Sequence, residues 1–270
     1  MAIREPAVSG YFYPGEAKAL ESAVDGYLAS GARAVPRRAI AAVMPHAGYV
    51  YSGGTAGAVA AAIEVPARVV CLGPKHTRSG ARSAVSAASA WRFPFGDVPV
   101  DAEMRDALVA TGLVARDDAA HRAEHSIEVE IPFLWRRNPA LRITPIAFGS
   151  LGLDELREVG DALASLIRAA GEPMLIAAST DMSHHLHAEA ARRLDELAIA
   201  QILAIDPEGL LRTVVEREIS MCGVIPVTAA LFTARALGAT GAQLVRYTSS
   251  AEATGDTSSV VGYAGLIIPA

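Results

Sequence analysis

Ala39-Ile40-Ala41-Ala42-Val43-Met44-Pro45-His46-Ala47-Gly48-Tyr49 carries the reading of the whole chain. Six apolar residues without polar alternation describe a strand buried on both faces, as in the interior of a parallel sheet. Proline, histidine and glycine then end it in a loop. The pattern returns twice: Val69 to Leu72 runs into Gly73-Pro74-Lys75-His76, and Met174 to Ala177 runs into Ser179-Thr180-Asp181-Met182-Ser183-His184-His185. Ile143 to Phe148 is a fourth such run. Between them, Glu16 to Ala29, Gly54 to Ile63, Ala102 to Ala110, Leu153 to Ala169 and Glu189 to Ile205 have the length and spacing of amphipathic or Ala-rich helices. Ser52-Gly53-Gly54 reads as a turn before one of them. Alternation of strand and helix predicts an α/β layered sandwich, a central β-sheet flanked by helices. Toward the C-terminus, a helix over Gly223 to Leu237 is followed by strands over Gln243 to Ser249 and Ser259 to Ile268, which makes the expected sheet mixed. No linker, charge block or internal repeat divides the chain, so residues 1–270 are expected to form a single domain.

Bulk chemistry narrows the function. Hydrophobic residues make up 51% and charged residues 20%, enough apolar material for a large core. The formal charge is −5, and neither Arg37-Arg38 nor Arg136-Arg137 belongs to an aromatic-interleaved basic stripe, so nucleic acid is not an expected partner. No apolar run spans a bilayer and no signal peptide is apparent; a cytoplasmic protein without a membrane partner is expected. Reduced thiols are then expected at both cysteines.

The chemistry-bearing residues sit where predicted strands end, the edge at which open α/β sheets bind ligands. His46 and His76 each read as ordinary hydrogen-bonded loop residues when taken alone; delivered together to one edge, they could share a metal. Cys222, in Ser220-Met221-Cys222-Gly223, adds a thiol just before a predicted helix, whose N-terminus favours thiolate. A small buried hydrophobe is the other reading of Cys222, and the expected one for Cys71 inside its strand. Asp181 is placed to orient His184 for acid/base work. In Glu124-His125-Ser126-Ile127-Glu128, His125 is expected to point into the site, while His121, His185 and His187 are expected to be solvated. Tyr11, Tyr13, Tyr49 and Trp91 are candidate linings for an aromatic ligand, or else core and rim. H-E-x-x-H, P-loop, C-x-x-C and G-x-S-x-G patterns are absent.

These motifs, together with Pro6-Ala7-Val8-Ser9-Gly10-Tyr11-Phe12-Tyr13-Pro14 and Cys222-Gly223 with Pro226, resemble nearly end to end the Memo family, labelled component B of the AmmeMemoRadiSam system in prokaryotes. That family is similar in fold to class III extradiol dioxygenases, iron(II) enzymes that open catechol rings. The resemblance implies an α/β sandwich, a metal held by His46, His76 and Cys222, with cysteine replacing the dioxygenase glutamate, and an acid/base role for His184. Iron (Fe2+) is the metal implied; copper(I) or zinc(II) suits a thiolate equally.

Two functions of different class remain open: a non-haem iron-dependent oxidoreductase, and a non-catalytic metal- or peptide-binding protein, since animal members are regarded as signalling adaptors. The cleft would take an unknown small molecule or peptide. The family label implies the radical-SAM and other components of that system as partners.

Overall fold

The computed structural model describes residues 2–31 and 35–270. In chain order the elements are β1 (Ile3–Arg4), α1 (Ala17–Gly31), β2 (Ala39–Met44), α2 (Tyr49–Ala62), β3 (Arg68–Pro74), β4 (Ser83–Val85), β5 (Ala90–Phe93), β6 (Gly96–Pro99), α3 (Ala102–Ala110) and β7 (Ala115–Arg116). They continue with α4 (Ile131–Arg137), β8 (Arg142–Phe148), α5 (Leu153–Ala170), β9 (Met174–Ser179), β10 (His184–Leu186), α6 (Ala188–Leu203), α7 (Pro207–Glu216), α8 (Val224–Ala236), β11 (Gln243–Ser249), α9 (Ala251–Thr254) and β12 (Val260–Pro269).

The main sheet runs β10-β12-β2-β9-β3-β8-β4-β7, with β11 also paired to β12. Its centre is the four predicted apolar runs, β2, β9, β3 and β8, all parallel. Antiparallel β12 on one side and β4 on the other make it mixed, as the C-terminal pattern anticipated. The lack of alternation now has its cause. Val43, Val70, Leu72 and Ile176 face α5, α6, α7 and α8 through Leu156, Leu163, Ile202, Leu210 and Leu231. Ala42, Val69, Cys71 and Ala177 face α1, α2 and α4 through Leu20, Val24, Val59 and Leu134. Both faces are covered, so both phases of each strand are apolar. The fold is the α/β architecture expected, a mixed sheet between helical layers.

One local expectation fails. Gly53 and Gly54 do not form a turn before α2; the helix begins at Tyr49, and both lie inside it. A Cβ at Gly53 or Gly57 would come within 2.7 Å of Tyr27, so glycine is used for close approach of α2 to α1, not for a bend. Neither α7 nor a second, three-stranded sheet, β1-β5-β6, is among the elements expected from the sequence.

Candidate metal centre

Three parallel strands end on the same edge, and each delivers a polar residue two positions beyond its last residue: His46 after β2, His76 after β3 and Asp181 after β9. The register Met44 to Ser179 levels two of them. His125 enters from the turns between β7 and α4, Cys222 stands just before Gly223, the residue that caps α8, and His184 opens β10. Gly223 lies so close to the Ser179 carbonyl and the Thr180 side chain that a Cβ would collide with both. Glycine thereby lets the start of α8 reach the end of β9, and the Gly223 amide donates to Thr180 Oγ1 at 3.0 Å.

Among the described residues, His46, His76 and His125 can each offer a ligand atom such that all three lie within 4.8 Å of one another. The rings of His76 and His125 stack at 4.8 Å, and His46 meets both edge-on at 5.3 and 5.5 Å. Cys222 Sγ is 3.3 Å from His46 Nε2. His46 Nδ1 is 2.7 Å from Ser179 Oγ, which donates its own proton to the Ser126 carbonyl at 2.8 Å and so accepts from the imidazole. His76 Nδ1 is 2.9 Å from Glu124 Oε1. Both Nδ1 atoms are thus engaged by oxygen, which leaves Nε2 of each ring as its ligand atom, that of His46 beside Cys222 Sγ. Oxygen partners on the far nitrogen are how metal-binding imidazoles are oriented.

The electrostatics fit a cation. Burial, with His125 and His76 adding to it, holds His46 well below the ordinary imidazole range. Burial lowers His125 as well. Burial opposes protonation of His76, but the hydrogen bond and charge of Glu124 outweigh it and raise the group. For Glu124 burial is likewise outweighed, by His76 and by amide donors, and the carboxyl falls to about 2. Burial pushes Asp181 up to about 7 against the donated amides of His46 and Ala47. Two imidazoles held neutral by burial, and a third backed by an anionic carboxylate, form a donor set suited to a metal ion.

Some expected contacts are replaced by others. Asp181 does not orient His184: its Oδ1 accepts the His46 amide at 2.9 Å, and its own amide donates to Cys222 Sγ at 3.2 Å. His184 Nδ1 donates instead to the Ser220 carbonyl at 2.9 Å. The Cys222 thiol is not eased toward thiolate by the helix; burial, with the Asp181 charge, pushes it up. His121 is not solvated but fully buried, with Nε2 on the Ala84 carbonyl at 3.0 Å. His185 and His187 are exposed as expected, and both cysteines are free, Cys71 in the core. Tyr13, Tyr49 and Trp91 are buried, so only Tyr11 of the four aromatic candidates reaches the cavity.

That cavity, about 700 Å3, gathers His46, His76, His125, Asp181 and His184 beneath a rim of Tyr11, Phe12, Val50 and Tyr51. Sequence reasoning had missed Phe12, Glu124 and Ser179. Phe12, whose ring packs edge-on against His125 at 4.9 Å, carries no polar signal of its own. Glu124 was adjacent to a candidate, but nothing local marked Ser179 as a partner of His46, 133 residues away.

Comparison with known proteins identifies the family. The family model described as Memo-like protein matches residues 4–267. A MEMO1 family protein of Aquifex aeolicus is 39% identical over 271 residues, covering 99% of each chain. One from Methanosarcina barkeri is 39% identical over 98% of this chain and 100% of its own. The crystal structure of an uncharacterized protein, JW3007, from Escherichia coli K12 is similar in fold, with a TM-score of 0.55, 14% identity, and coverage of 85% of this chain and 100% of that one. With the family pattern matched from Arg4 to Ile267 and its polar motifs drawn together at one sheet edge, the chain belongs to the Memo family.

Proposed function

We propose that His46, His76 and Cys222 hold one metal ion, preferentially iron(II), and that the protein is a cytoplasmic, single-domain, non-haem metal-dependent oxidoreductase acting on a small molecule or peptide in the cleft. The observation that carries the reading is the pair of engaged Nδ1 atoms, with Cys222 Sγ 3.3 Å from His46 Nε2. A bound ion of this kind supplies Lewis acidity and open coordination positions. The chain's own groups handle protons. His184 lines the cavity with its Nδ1–H committed to Ser220, which leaves Nε2 as the acid/base nitrogen. His125 stands beside the ligands as a second proton carrier, and Asp181 holds the His46 loop through two backbone amides.

The test is metal content after anaerobic purification of wild type, His46→Ala, Cys222→Ala and His125→Ala. Stoichiometric metal is expected in wild type and His125→Ala and is lost from the other two. Loss in His125→Ala with retention in Cys222→Ala transfers the third ligand to His125, and no metal in wild type under anaerobic iron(II), copper(I) or zinc(II) loading rejects the site.

A second reading, a non-catalytic metal- or partner-binding protein, is favoured by the rim: Tyr11 is 85% exposed and Val50 74%. It predicts tight metal binding without oxygen uptake or turnover. The radical-SAM component of the AmmeMemoRadiSam system is the partner to test by co-purification.

A further inference from the structure

The sequence pairs His184 with Asp181, yet the structure gives Asp181 to the His46 loop and leaves the segment carrying His184 to a different acid. Asp195, on α6 and fully buried, points its carboxylate at that segment. Its Oδ1 accepts both the Ser183 amide, at 2.9 Å, and the Ser183 hydroxyl, at 2.6 Å. Its Oδ2 accepts the Tyr247 hydroxyl of β11 at 2.8 Å. Oδ2 lies where a Cβ on Gly262 of β12 would stand, and the Gly262 amide donates to the Ser183 carbonyl at 2.9 Å. One carboxylate thus ties α6, β11 and the segment after β9 together beside β12.

His184 follows directly. Its amide donates to Ser220 Oγ at 2.7 Å and its Nδ1 to the Ser220 carbonyl at 2.9 Å. The pairing of β10 with β12 slips here: His184 opposes Val261 and Leu186 opposes Val260, leaving His185 as the extra residue with φ of 59°. A bulge next to a site re-aims a side chain, and a non-glycine residue at positive φ persists only where its surroundings hold it. Ser183, clamped on both its amide and its hydroxyl, is the fixed point on one side of that bulge.

We propose that Asp195 is a positioning residue for His184, acting through Ser183 to hold the bulge that turns Nε2 into the cavity. Two opposite outcomes of substitution follow from the geometry. In Asp195→Asn, Oδ1 still accepts both Ser183 bonds, and the amide nitrogen donates to the Tyr247 hydroxyl. In Asp195→Leu the Ser183 amide and hydroxyl lose their acceptor, and the bulge loses its anchor.

The inference builds on the reading of His184 as a proton carrier, but its test needs neither metal nor turnover. Nitrogen-15 NMR of the metal-free protein reads the His184 tautomer, and mass spectrometry reads its acylation by diethyl pyrocarbonate. Wild type and Asp195→Asn are expected to show the Nδ1–H tautomer and matching acylation rates. Asp195→Leu is expected to show averaged tautomers and a several-fold change in His184 acylation, with His121 still protected as proof of an intact core. Ser183→Ala, which removes one of the two arms, is expected to fall between, and it serves as the test if the leucine variant does not fold. An unchanged His184 in both Asp195→Leu and Ser183→Ala overturns the proposal, and so does an Asp195→Asn variant as perturbed as the leucine one. Metal content is measured in parallel: its absence from wild type counts against the metal site and leaves the His184 readouts standing.

Discussion

His121 shows what the interior does to a single group. It is fully buried, its Nδ1 has no partner, and burial drives the imidazole from 6.5 down to about 4. The sign follows from proton uptake. Between 6.5 and 4 the unfolded chain binds the proton and the folded chain does not, so stability is complete above 6.5 and falls with pH until about 4. The loss is roughly 3 kcal/mol at 1.36 kcal/mol per unit. Denaturant unfolding at both ends of that window should show it in wild type and show it reduced by about that amount in His121→Gln; equal acid losses in the two proteins would assign acid lability to other groups. Glu130 poses the complementary case, a buried carboxyl that burial pushes well above its usual range.

Among the elements, the N-terminal strap shows how segments without regular structure are held over a site. Glu128, buried, accepts from Arg4 Nη1 at 2.5 Å, from the Ala7 and Val8 amides at 2.8 and 3.1 Å, and from the Tyr13 hydroxyl at 2.6 Å. Arg4 also donates to the carbonyls of His121 and Glu124 and lies over Trp91. Between these anchors the strap places Tyr11 and Phe12 on the cavity rim, and the Phe12 carbonyl accepts the Tyr49 amide at the start of α2. Removing one partner of a buried pair costs about 3–5 kcal/mol. Because Glu128 keeps three other donors, Arg4→Met should cost about 3 kcal/mol, with faster limited proteolysis near Phe12. Unchanged proteolysis would mean that the strap is held by Tyr13 and the amides alone.

For the molecule as a unit, β12 is the closing piece. It pairs with β2, β10 and β11, and Leu266 and Ile267 lie in the two apolar layers on opposite faces of the sheet. Without it β2, the strand leading to His46, becomes an unprotected edge of the parallel core, and such edges aggregate. Deletion of Val260–Pro269 is therefore expected to abolish cooperative unfolding by circular dichroism and to leave an aggregating chain. A truncated protein with a sharp transition would show that β2 is sufficiently covered by α2 and β9. No helix among the described residues is long and apolar enough to cross a membrane.

The chain alone revealed the parallel core, because a strand buried on both faces carries its environment in its own residues: Ala39–Met44 was bounded to the residue, and Arg68–Pro74 and Arg142–Phe148 to within two. It also revealed that His46, His76 and Asp181 follow strand ends, and its ordered motifs pointed to the family. The short strands β1, β5 and β6 escaped because two to four residues are too few to display a period. The helix α7 escaped although Asp206-Pro207 marks its start, the aspartate capping and the proline fitting the first turn. Polar pairing was the least legible feature. Asp181 stands three residues from His184 yet serves His46, while Asp195, on another element, clamps the residue before His184. Cys222 meets His46 across 176 positions. Periodicity records how deeply a segment is buried, whereas hydrogen bonds are assigned by whichever groups packing brings within 3 Å, and that depends on strand order, register and the close approach of α8 to β9 at Gly223.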